Sequence, residues 1–471
     1  MWEGPIDQVG KCKNVSFIPT VDLLLKIYLS NMNLNMIESN VHINKLARFI
    51  IVGFLLINAA CKESNKSPEE SKSSSVIIDN LAISRIDSTL KSFVDSGKIA
   101  GVSALIYEKD KEVYYNAFGY ADREAKKPMA RNTIVQIYSM TKPITGTALM
   151  TLYEDGAFDL DDPVSKYAPE FANMKVYEGE DASGNPVLTD PKRPMTIRDL
   201  TRHTAGFGRN ADIPGLGLLI KEADALNRNN TLVEMAQKMG ETPLYFHPGE
   251  QWEYGPCVDV QAFMVERISG QPYGEYVREN VLDPLGMKET RYYVPEYDRG
   301  RFSAMYLQND DGILNQLPDE EAKSDYFNHW PLTRGGSGLT STLDNYMRFA
   351  RMMVHEGTLD SVTILKPETV KLMSTNHLAD SIEKRSFLPS KGQVGFGIDF
   401  AVRLRPPVSR EENNGVVGEF FWDGAASTLF WIDPVNELTA VLFVQLFPYD
   451  QIGLHKSFRD AVYGPFRADQ H

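Results

Sequence analysis

Cysteine is scarce in this sequence, and its scarcity excludes two common ways of cross-linking a chain. Only Cys12, Cys61 and Cys257 occur in 471 residues. They are odd in number and far apart, without the paired spacing of a disulfide framework or a zinc site. We therefore expect neither disulfide-linked loops nor a structural zinc ion.

Histidine is also sparse and lacks the spacing that binds a catalytic metal. The eight histidines are scattered along the chain and none forms an H-E-x-x-H pattern. The single His-Glu pair, His355-Glu356, is followed by glycine and has no second histidine. The sequence therefore predicts no metal site.

Positive charge is in deficit, which argues against nucleic acid as a partner. The formal net charge is −14, and no basic stripe is present that could neutralise phosphates. Hydrophobic residues at 42% and charged residues at 24% are ordinary for a folded protein. A chain of this length normally contains two or more structural units.

The N-terminal region has features of an export signal. Residues 1–35 show no clear pattern and are interpreted as a leader outside the mature protein. In residues 36–60, Lys45 and Arg48 precede a short apolar run at 49–57 and then small residues, which is typical of a secretory signal peptide. The apolar run is too short to span a bilayer comfortably.

Cys61 follows Ala-Ala directly, which resembles the lipidation site of a bacterial lipoprotein. Asn58 departs from the aliphatic residue usual three positions earlier, and a signal anchor or plain cleavage are the alternatives. Residues 61–75 are rich in Ser, Glu and Lys, and we expect a flexible tether. These features predict an exported protein of the periplasm or outer surface, with a membrane contact only through the N-terminal lipid.

Residues 76–471 read as one domain of the α/β class, in the α+β sense, with strands at both ends. The middle, about 157–335, is predicted to be a mostly helical insertion with polar loops. Strands from both chain ends then predict one antiparallel sheet flanked by helices. The strand-like runs are 102–107, 113–118, 394–402, 418–422, 428–432 and 439–447, and helices are expected at 77–98 and 453–463.

Ser139 is the serine whose neighbourhood supplies a reason for it to react, because Lys142 lies three residues later. In a helix this spacing places both side chains on one face, where a neutral, desolvated amine could accept the hydroxyl proton. Pro143 is tolerated only in a first turn, so the helix should begin at or just before Ser139. Alone, S-x-x-K is also compatible with a serine cap and a surface lysine.

Several further motifs occur in a meaningful order. Residues 138–143 read YSMTKP, 160–167 read LDDPVSKY, 195–206 read MTIRDLTRHTAG and 247–254 read HPGEQWEY. This series resembles the serine β-lactamase and penicillin-binding superfamily, in particular its class C β-lactamase-like branch with the family VIII carboxylesterases. The resemblance covers roughly residues 80–465 and implies a β-lactamase/transpeptidase-like fold with Ser139 as nucleophile and Lys142 as its base.

The resemblance also implies a second motif at Tyr254-Gly255-Pro256. Tyr254 matches the tyrosine that shares proton transfer with the lysine. The lactamase members have an asparagine where this chain has Pro256, and proline offers no side-chain donor or acceptor. A polar contact to substrate is thereby lost.

The third motif of the family, K-T-G or H-T-G, corresponds here to Trp422-Asp423-Gly424. A lysine in the first place would pair with a substrate carboxylate, whereas tryptophan offers stacking area and one donor, and Asp423 would repel a carboxylate. Gly424 would let the strand approach the serine closely. By resemblance, the backbone N–H groups of Ser139 and Ala425 would form the oxyanion hole.

Two other motifs are not assigned chemical roles. His203 lies in a His-Thr-Ala-Gly turn that is structural in the family, so it is kept out of the site. Residues 335–338 read GGSG and are expected to form a tight loop near the site, since Leu339 replaces the last glycine of a nucleophile elbow.

The sequence therefore predicts a serine hydrolase that forms a covalent acyl-enzyme without a cofactor, acting on small esters as a carboxylesterase. A D-alanyl-D-alanine carboxypeptidase or a β-lactamase is the first alternative. A non-catalytic binding protein on the same fold is the second. The natural ester, the oligomeric state and the membrane leaflet stay open at this stage.

Overall fold

The computed structural model describes residues 76–210, 212–385 and 393–466. The predicted leader (1–35), signal peptide (36–60), lipidation site at Cys61 and tether (61–75) lie outside this part of the chain. None of the helices in the described part is long and apolar enough to cross a bilayer.

The helices and strands of the described residues have the following bounds. The α-helices are α1 (Asn80–Asp95), α2 (Thr141–Glu154), α3 (Ile197–Thr201), α4 (Leu216–Ala223), α5 (Leu232–Gly240), α6 (Cys257–Ser269), α7 (Tyr273–Val277), α8 (Glu296–Arg299), α9 (Asp319–Ala322), α10 (Ser324–Phe327), α11 (Leu343–Val354), α12 (Pro367–Met373) and α13 (Leu454–Tyr463). The strands are β1 (Gly101–Glu108), β2 (Lys111–Asp122), β3 (Lys127–Pro128), β4 (Val135–Gln136), β5 (Val176–Glu180), β6 (Pro186–Thr189), β7 (Tyr306–Gln308), β8 (Leu314–Gln316), β9 (Thr340–Ser341), β10 (Thr358–Leu359), β11 (Val362–Thr363), β12 (Val394–Phe396), β13 (Ala401–Arg403), β14 (Phe420–Asp423), β15 (Leu429–Asp433), β16 (Leu438–Phe443) and β17 (Leu446–Phe447).

The first helix shows how local signals define an element. The Asp79 carboxylate accepts the Ala82 amide N–H at 2.7 Å, which satisfies a donor left without a partner at the helix start. Ala82, Ile86 and Leu90 are fully buried at helical spacing, so one face of α1 packs inward. The helix is shorter at both ends than the predicted span of 77–98.

The main sheet is antiparallel and joins the N-terminal and C-terminal parts of the domain. Its order is β12-β13-β14-β15-β16-β1-β2-β3. Strand β1 pairs with β2 on one side and with β16 on the other, for example through Ala104 and Leu442. The prediction of a sheet formed from both chain ends is therefore confirmed.

Helices cover both faces of this sheet. On β15, the ring of Phe430 contacts Tyr346 of α11 with 4.9 Å between centroids, whereas Trp431 contacts Phe458 of α13 at 5.4 Å. Neighbouring strand residues point to opposite faces, so the sheet lies between two helical layers. Trp422 is paired with Phe430 across strands and therefore lies on the α11 face.

Two predicted strands are each divided in the structure. The run 394–402 forms β12 and β13, because Asp399 between them has φ +57°, which turns the chain back. The run 439–447 forms β16 and then β17, which leaves the main sheet to pair with β7. Residues 157–335 contain helices α3 to α10, as expected, but also the hairpins β5-β6 and β7-β8. The β6 strand has four residues and is largely exposed, which is too short a run to show the alternation of a half-buried strand.

Candidate active site

Ser139 lies in a 3₁₀ turn, Tyr138–Met140, that leads directly into α2. The Ser139 side chain is half-buried, whereas Lys142 in the first turn of α2 is buried. Lys142 Nζ lies 3.1 Å from Ser139 Oγ, so the predicted base is within hydrogen-bond reach of the hydroxyl. Pro143 is accommodated because first-turn N–H groups have no intrahelical acceptor.

The loop at residues 335–338 fixes the position of the lysine. Lys142 Nζ donates to the carbonyl of Gly336 at 2.6 Å, and the Gly336 N–H donates to Asp259 Oδ1 at 3.0 Å. Asp259 is buried in the first turn of α6. A Cβ on Gly336 would lie 2.9 Å from that carboxylate, so the close approach requires glycine. The expected loop near the site is present.

Sequence reasoning missed Asp259. An acidic residue near a helix start is common, because it interacts favourably with the helix dipole. Nothing in the local pattern distinguishes it from an ordinary first-turn acid. Its role depends on a loop that is distant in sequence.

Tyr254 packs against both the lysine and the third motif. Lys142 Nζ lies 4.7 Å from the centroid of the tyrosine ring, and the ring of Trp422 lies 5.4 Å away. The exposed guanidinium of Arg209 also lies over this ring, at 4.7 Å. Ser139, Lys142 and Tyr254 thus come together as the motif order predicts, and Arg209 is an addition that the motifs did not indicate.

The end of β14 lies against the segment that contains the nucleophile. A Cβ on Gly424 would lie 2.6 Å from the Ile137 carbonyl oxygen and 2.2 Å from Thr428 Oγ1, so only glycine permits this approach. Ala425 comes next in the chain and is half-buried. The strand that supplies the proposed second oxyanion donor therefore adjoins the turn that contains Ser139.

Comparison with known proteins agrees with this geometry. Residues 86–462 match the β-lactamase family. The chain belongs to the β-lactamase family. Among curated relatives, esterase EstB of Burkholderia gladioli is 30% identical over 403 residues, which cover 80% of this chain and 94% of the relative. A Mycobacterium tuberculosis protein, Rv1367c, is 32% identical over 367 residues, covering 76% of this chain and 89% of that protein.

Solved structures of the β-lactamase superfamily share the fold. The unliganded simvastatin synthase LovD of Aspergillus terreus, as its selenomethionyl derivative, superimposes with a TM-score of 0.71 at 23% identity, covering 81% of this chain and 98% of that one. EstCE1, a hydrolase with promiscuous acyltransferase activity, has a TM-score of 0.65 at 26% identity and covers 83% of this chain and 100% of its own. The predicted β-lactamase/transpeptidase-like fold is confirmed, and the protein is a serine hydrolase of this superfamily whose relatives include esterases and acyltransferases.

Within this β-lactamase-type site, the expected role of Trp422 has to be corrected. Trp422 has 0% exposed surface, because its ring packs against Tyr254 and against Phe396 at 5.3 Å. A substrate cannot stack on a ring that is fully covered. Trp422 instead packs against the ring of Tyr254 and helps to hold it in place.

Asp423 is likewise buried. Its Oδ2 accepts the Tyr449 hydroxyl at 2.6 Å. Burial, together with the nearby Asp423 charge, raises the pKa of Tyr449 well above its usual range, so the phenol remains a donor. The carboxylate is thus fixed within the β-lactamase-type site.

His203 forms part of the aromatic packing beneath Tyr254, as its exclusion from the catalytic set anticipated. The ring centroids of His203 and Tyr254 lie 4.9 Å apart, and no hydrogen bond to either His203 ring nitrogen is found among the described residues. Burial, and then the charges of Lys142 and Arg209, lower the pKa of His203 well below its usual value. The imidazole is therefore neutral and acts as an aromatic support.

The described ranges contain no cluster of three or more His, Cys, Asp or Glu side chains with the geometry of a metal site.

Proposed function

We propose that the protein is a carboxylesterase that hydrolyses small esters through an acyl-enzyme on Ser139. The observation that supports this most directly is the 3.1 Å distance between Lys142 Nζ and Ser139 Oγ. A hydroxyl paired with an amine in a water-poor environment can attack an ester carbonyl. The half-buried position of Ser139 leaves a path for substrate.

In the proposed reaction, Ser139 Oγ bonds to the ester carbonyl carbon while its proton passes to the Lys142 and Tyr254 pair. Collapse of the tetrahedral intermediate breaks the bond to the alcohol oxygen, which receives that proton. Water then gives a proton to the same pair and bonds to the acyl carbon; the bond to Ser139 Oγ breaks, Oγ receives that proton and the acid is released. The backbone N–H groups of Ser139 and Ala425 are proposed to stabilise the oxyanion in both steps.

The choice of esters over β-lactams is supported by the second and third motifs. Pro256 caps α6 without a side-chain hydrogen bond, and Trp422 stands where carboxylate-binding members have a lysine or histidine. EstB is named as an esterase, and so is the lovastatin esterase of Penicillium rubens, which is 27% identical over 411 residues. Both names favour ester cleavage for this chain.

We also propose that the protein is exported and attached to a membrane by lipid at Cys61. The support comes from the signal-like residues 36–60 and the Ala-Ala-Cys sequence.

The test compares wild type with Ser139→Ala, and with Ser92→Ala as a matched control on the exposed surface of α1. A nitrophenyl ester, a chromogenic cephalosporin and a labelled penicillin are assayed side by side. Ester turnover that Ser139→Ala abolishes and Ser92→Ala retains supports the proposal. Ester turnover that survives in Ser139→Ala contradicts the mechanism.

The same assay separates the alternatives. Rapid cephalosporin turnover, or stable penicillin labelling with slow ester cleavage, would favour a β-lactamase or D-alanyl-D-alanine carboxypeptidase. No turnover and no labelling with any probe would favour the non-catalytic binding protein.

Acyl transfer to an alcohol is a second candidate, because EstCE1 is described as a hydrolase with acyltransferase activity. Adding a primary alcohol to the ester assay and measuring the new ester by chromatography distinguishes transfer from hydrolysis.

A further inference from the structure

A cavity of about 280 Å³ lies beside the turn that contains the nucleophile. Tyr138, Ser337 and Gly338 line one part of it. Tyr138 precedes Ser139 directly, and Ser337 follows Gly336, whose carbonyl holds Lys142. The volume is at the lower limit of small-molecule sites, so it suits a single ring better than a long chain.

The walls of this cavity are aromatic. Tyr293 and His329 stack with 3.8 Å between ring centroids, and Tyr292 donates its hydroxyl to the Arg334 carbonyl at 2.9 Å. Trp330 adds a further ring, with the Arg228 guanidinium 5.6 Å from its centroid. Such surfaces favour a flat aromatic ligand, because offset and edge contacts between rings are attractive.

Positive charge exceeds negative charge among the described side chains that line the cavity. Of the described side chains that line it, Arg228 and Arg334 are cationic and Asp325 is the sole acid. Asp325 forms an ion pair with Arg228, and Arg334 Nη2 donates to the Leu226 carbonyl. Burial, and then the charge of Arg334, lower the pKa of Arg228, so the two guanidinium groups that line the cavity repel each other. An anion entering the cavity would relieve this repulsion.

We propose that this cavity binds an aromatic carboxylate group belonging to the ester substrate of Ser139. The ring would lie among Tyr292, Tyr293 and Trp330, and the carboxylate would pair with Arg334 and Arg228, since a guanidinium fork matches two carboxylate oxygens. This inference rests on the proposed esterase function. The repulsion expected from Asp423 concerns a different place, because Asp423 does not line this cavity.

Binding is measured first, without any need for turnover. The Ser139→Ala protein is titrated calorimetrically with terephthalate and with its neutral analogue terephthalamide, and Trp330 supplies a fluorescence signal inside the cavity. We expect terephthalate to bind at least about tenfold more tightly, as hydrogen bonds to charged groups imply. Equal affinity for the two compounds would overturn the proposal.

Variants then locate the site. In the Ser139→Ala background, Arg334→Gln should remove most of the preference for terephthalate, whereas Arg278→Gln, an exposed arginine paired with Glu279 on α7's C-terminal side, should retain it. Asp325→Asn removes the negative charge from the cavity lining and should increase the preference for terephthalate over terephthalamide. The same terephthalate preference in all three variants would overturn the proposal. Arg334→Gln is expected to lower this preference and Asp325→Asn to raise it, and a misfolded protein could not produce both changes.

Catalysis provides the final comparison, with monomethyl and dimethyl terephthalate as substrates of the protein with Ser139 intact. We expect Arg334→Gln to lower kcat/KM for the anionic monoester by about tenfold or more and to leave the neutral diester nearly unchanged. Diester turnover without any Arg334 effect on the monoester would overturn this inference and leave the esterase function standing. If the protein with Ser139 intact hydrolyses neither ester, the esterase function is contradicted. The calorimetric result would still decide whether the cavity binds the aromatic carboxylate.

Discussion

The carboxylate of Asp259 accepts the amide N–H of Gly336 at 3.0 Å, and the carbonyl of the same glycine accepts Lys142 Nζ at 2.6 Å. A single residue, Gly336, therefore connects the first turn of α6 to the base of the nucleophile. Asp259 does not touch the reacting hydroxyl and is a positioning residue. Its loss should affect the placement of the amine rather than its chemistry.

Asp259→Ala is expected to lower kcat by about 10- to 100-fold with little change in KM, because a shift of about 1 Å in a catalytic group costs on that order. Asp259→Asn should recover most of the activity, since its amide oxygen can still accept the Gly336 N–H. Steady-state kinetics with a nitrophenyl ester measure both. Equal loss in the alanine and asparagine variants would contradict a positioning role through this hydrogen bond.

Tyr254→Phe keeps the ring packing against Trp422 and Lys142 but removes the hydroxyl. We expect kcat/KM to fall by about 10²- to 10⁴-fold, the range for loss of a proton-transfer group. The melting temperature should stay close to wild type, because the aromatic contacts are retained. Full activity in this variant would remove Tyr254 from the mechanism.

Gly424→Ala should displace the end of β14 from the nucleophile segment, because its Cβ would lie 2.6 Å from the Ile137 carbonyl. Overpacking of this kind costs about 1–3 kcal/mol of unfolding free energy, and we expect esterase activity to fall by more than tenfold. Gly300→Ala is the matched control, since a Cβ there meets nothing within 4 Å. Activity assays and thermal unfolding of the two variants should diverge; similar behaviour would contradict the close approach.

His203 predicts a pH dependence of stability. Burial lowers its pKa in the folded protein below the usual 6.5, so the unfolded chain binds a proton more readily. The stabilising contribution is complete above about pH 6.5 and is lost progressively as pH falls from there toward the folded pKa, by about 1.4 kcal/mol per pH unit. His203→Phe should flatten this part of the profile.

Chemical denaturation at intervals between pH 4 and 8 measures that difference. Because no hydrogen bond to the imidazole nitrogens is found in the described structure, the phenylalanine variant should be at least as stable as wild type at neutral pH. Parallel profiles for the two proteins would show that His203 is not the titrating group.

Cys61→Ser tests the proposed export route. In a bacterial host, wild type should incorporate labelled palmitate and fractionate with membranes, and the serine variant should do neither. Membrane association of the unlabelled serine variant would favour the signal-anchor alternative.

Much of the site was predictable because its residues lie in short local motifs. Ser139 and Lys142 share a helical face by their spacing alone, and the runs at both chain ends are rich enough in β-branched and aromatic residues to indicate strands of one sheet. Asp259 and Arg209 were not predictable in this way. Asp259 contacts Gly336 and Arg209 contacts Tyr254, and both contacts exist only in the tertiary fold.

The errors have equally local causes. Residues 394–402 are apolar apart from Asp399, and periodicity cannot show that Asp399 adopts φ +57° and reverses the chain. Trp422 was expected to face substrate, because a motif position indicates a place on the strand and not how much of the side chain its neighbours cover. Its burial depends in part on Phe396, the last residue of β12, which precedes the turn that the sequence did not reveal.

The pairing of β1 with β16 has a consequence for biosynthesis. Glu108 pairs with Leu438, so nearly the whole domain must be translated before the partner of β1 exists. At ordinary elongation rates this interval is on the order of half a minute. During that time one edge of the β1-β2 hairpin has no strand beside it, and exposed edges of this kind promote aggregation. Production of soluble protein should therefore improve at low temperature or with chaperones that bind nascent chains, and shortened forms that end before β16 should aggregate.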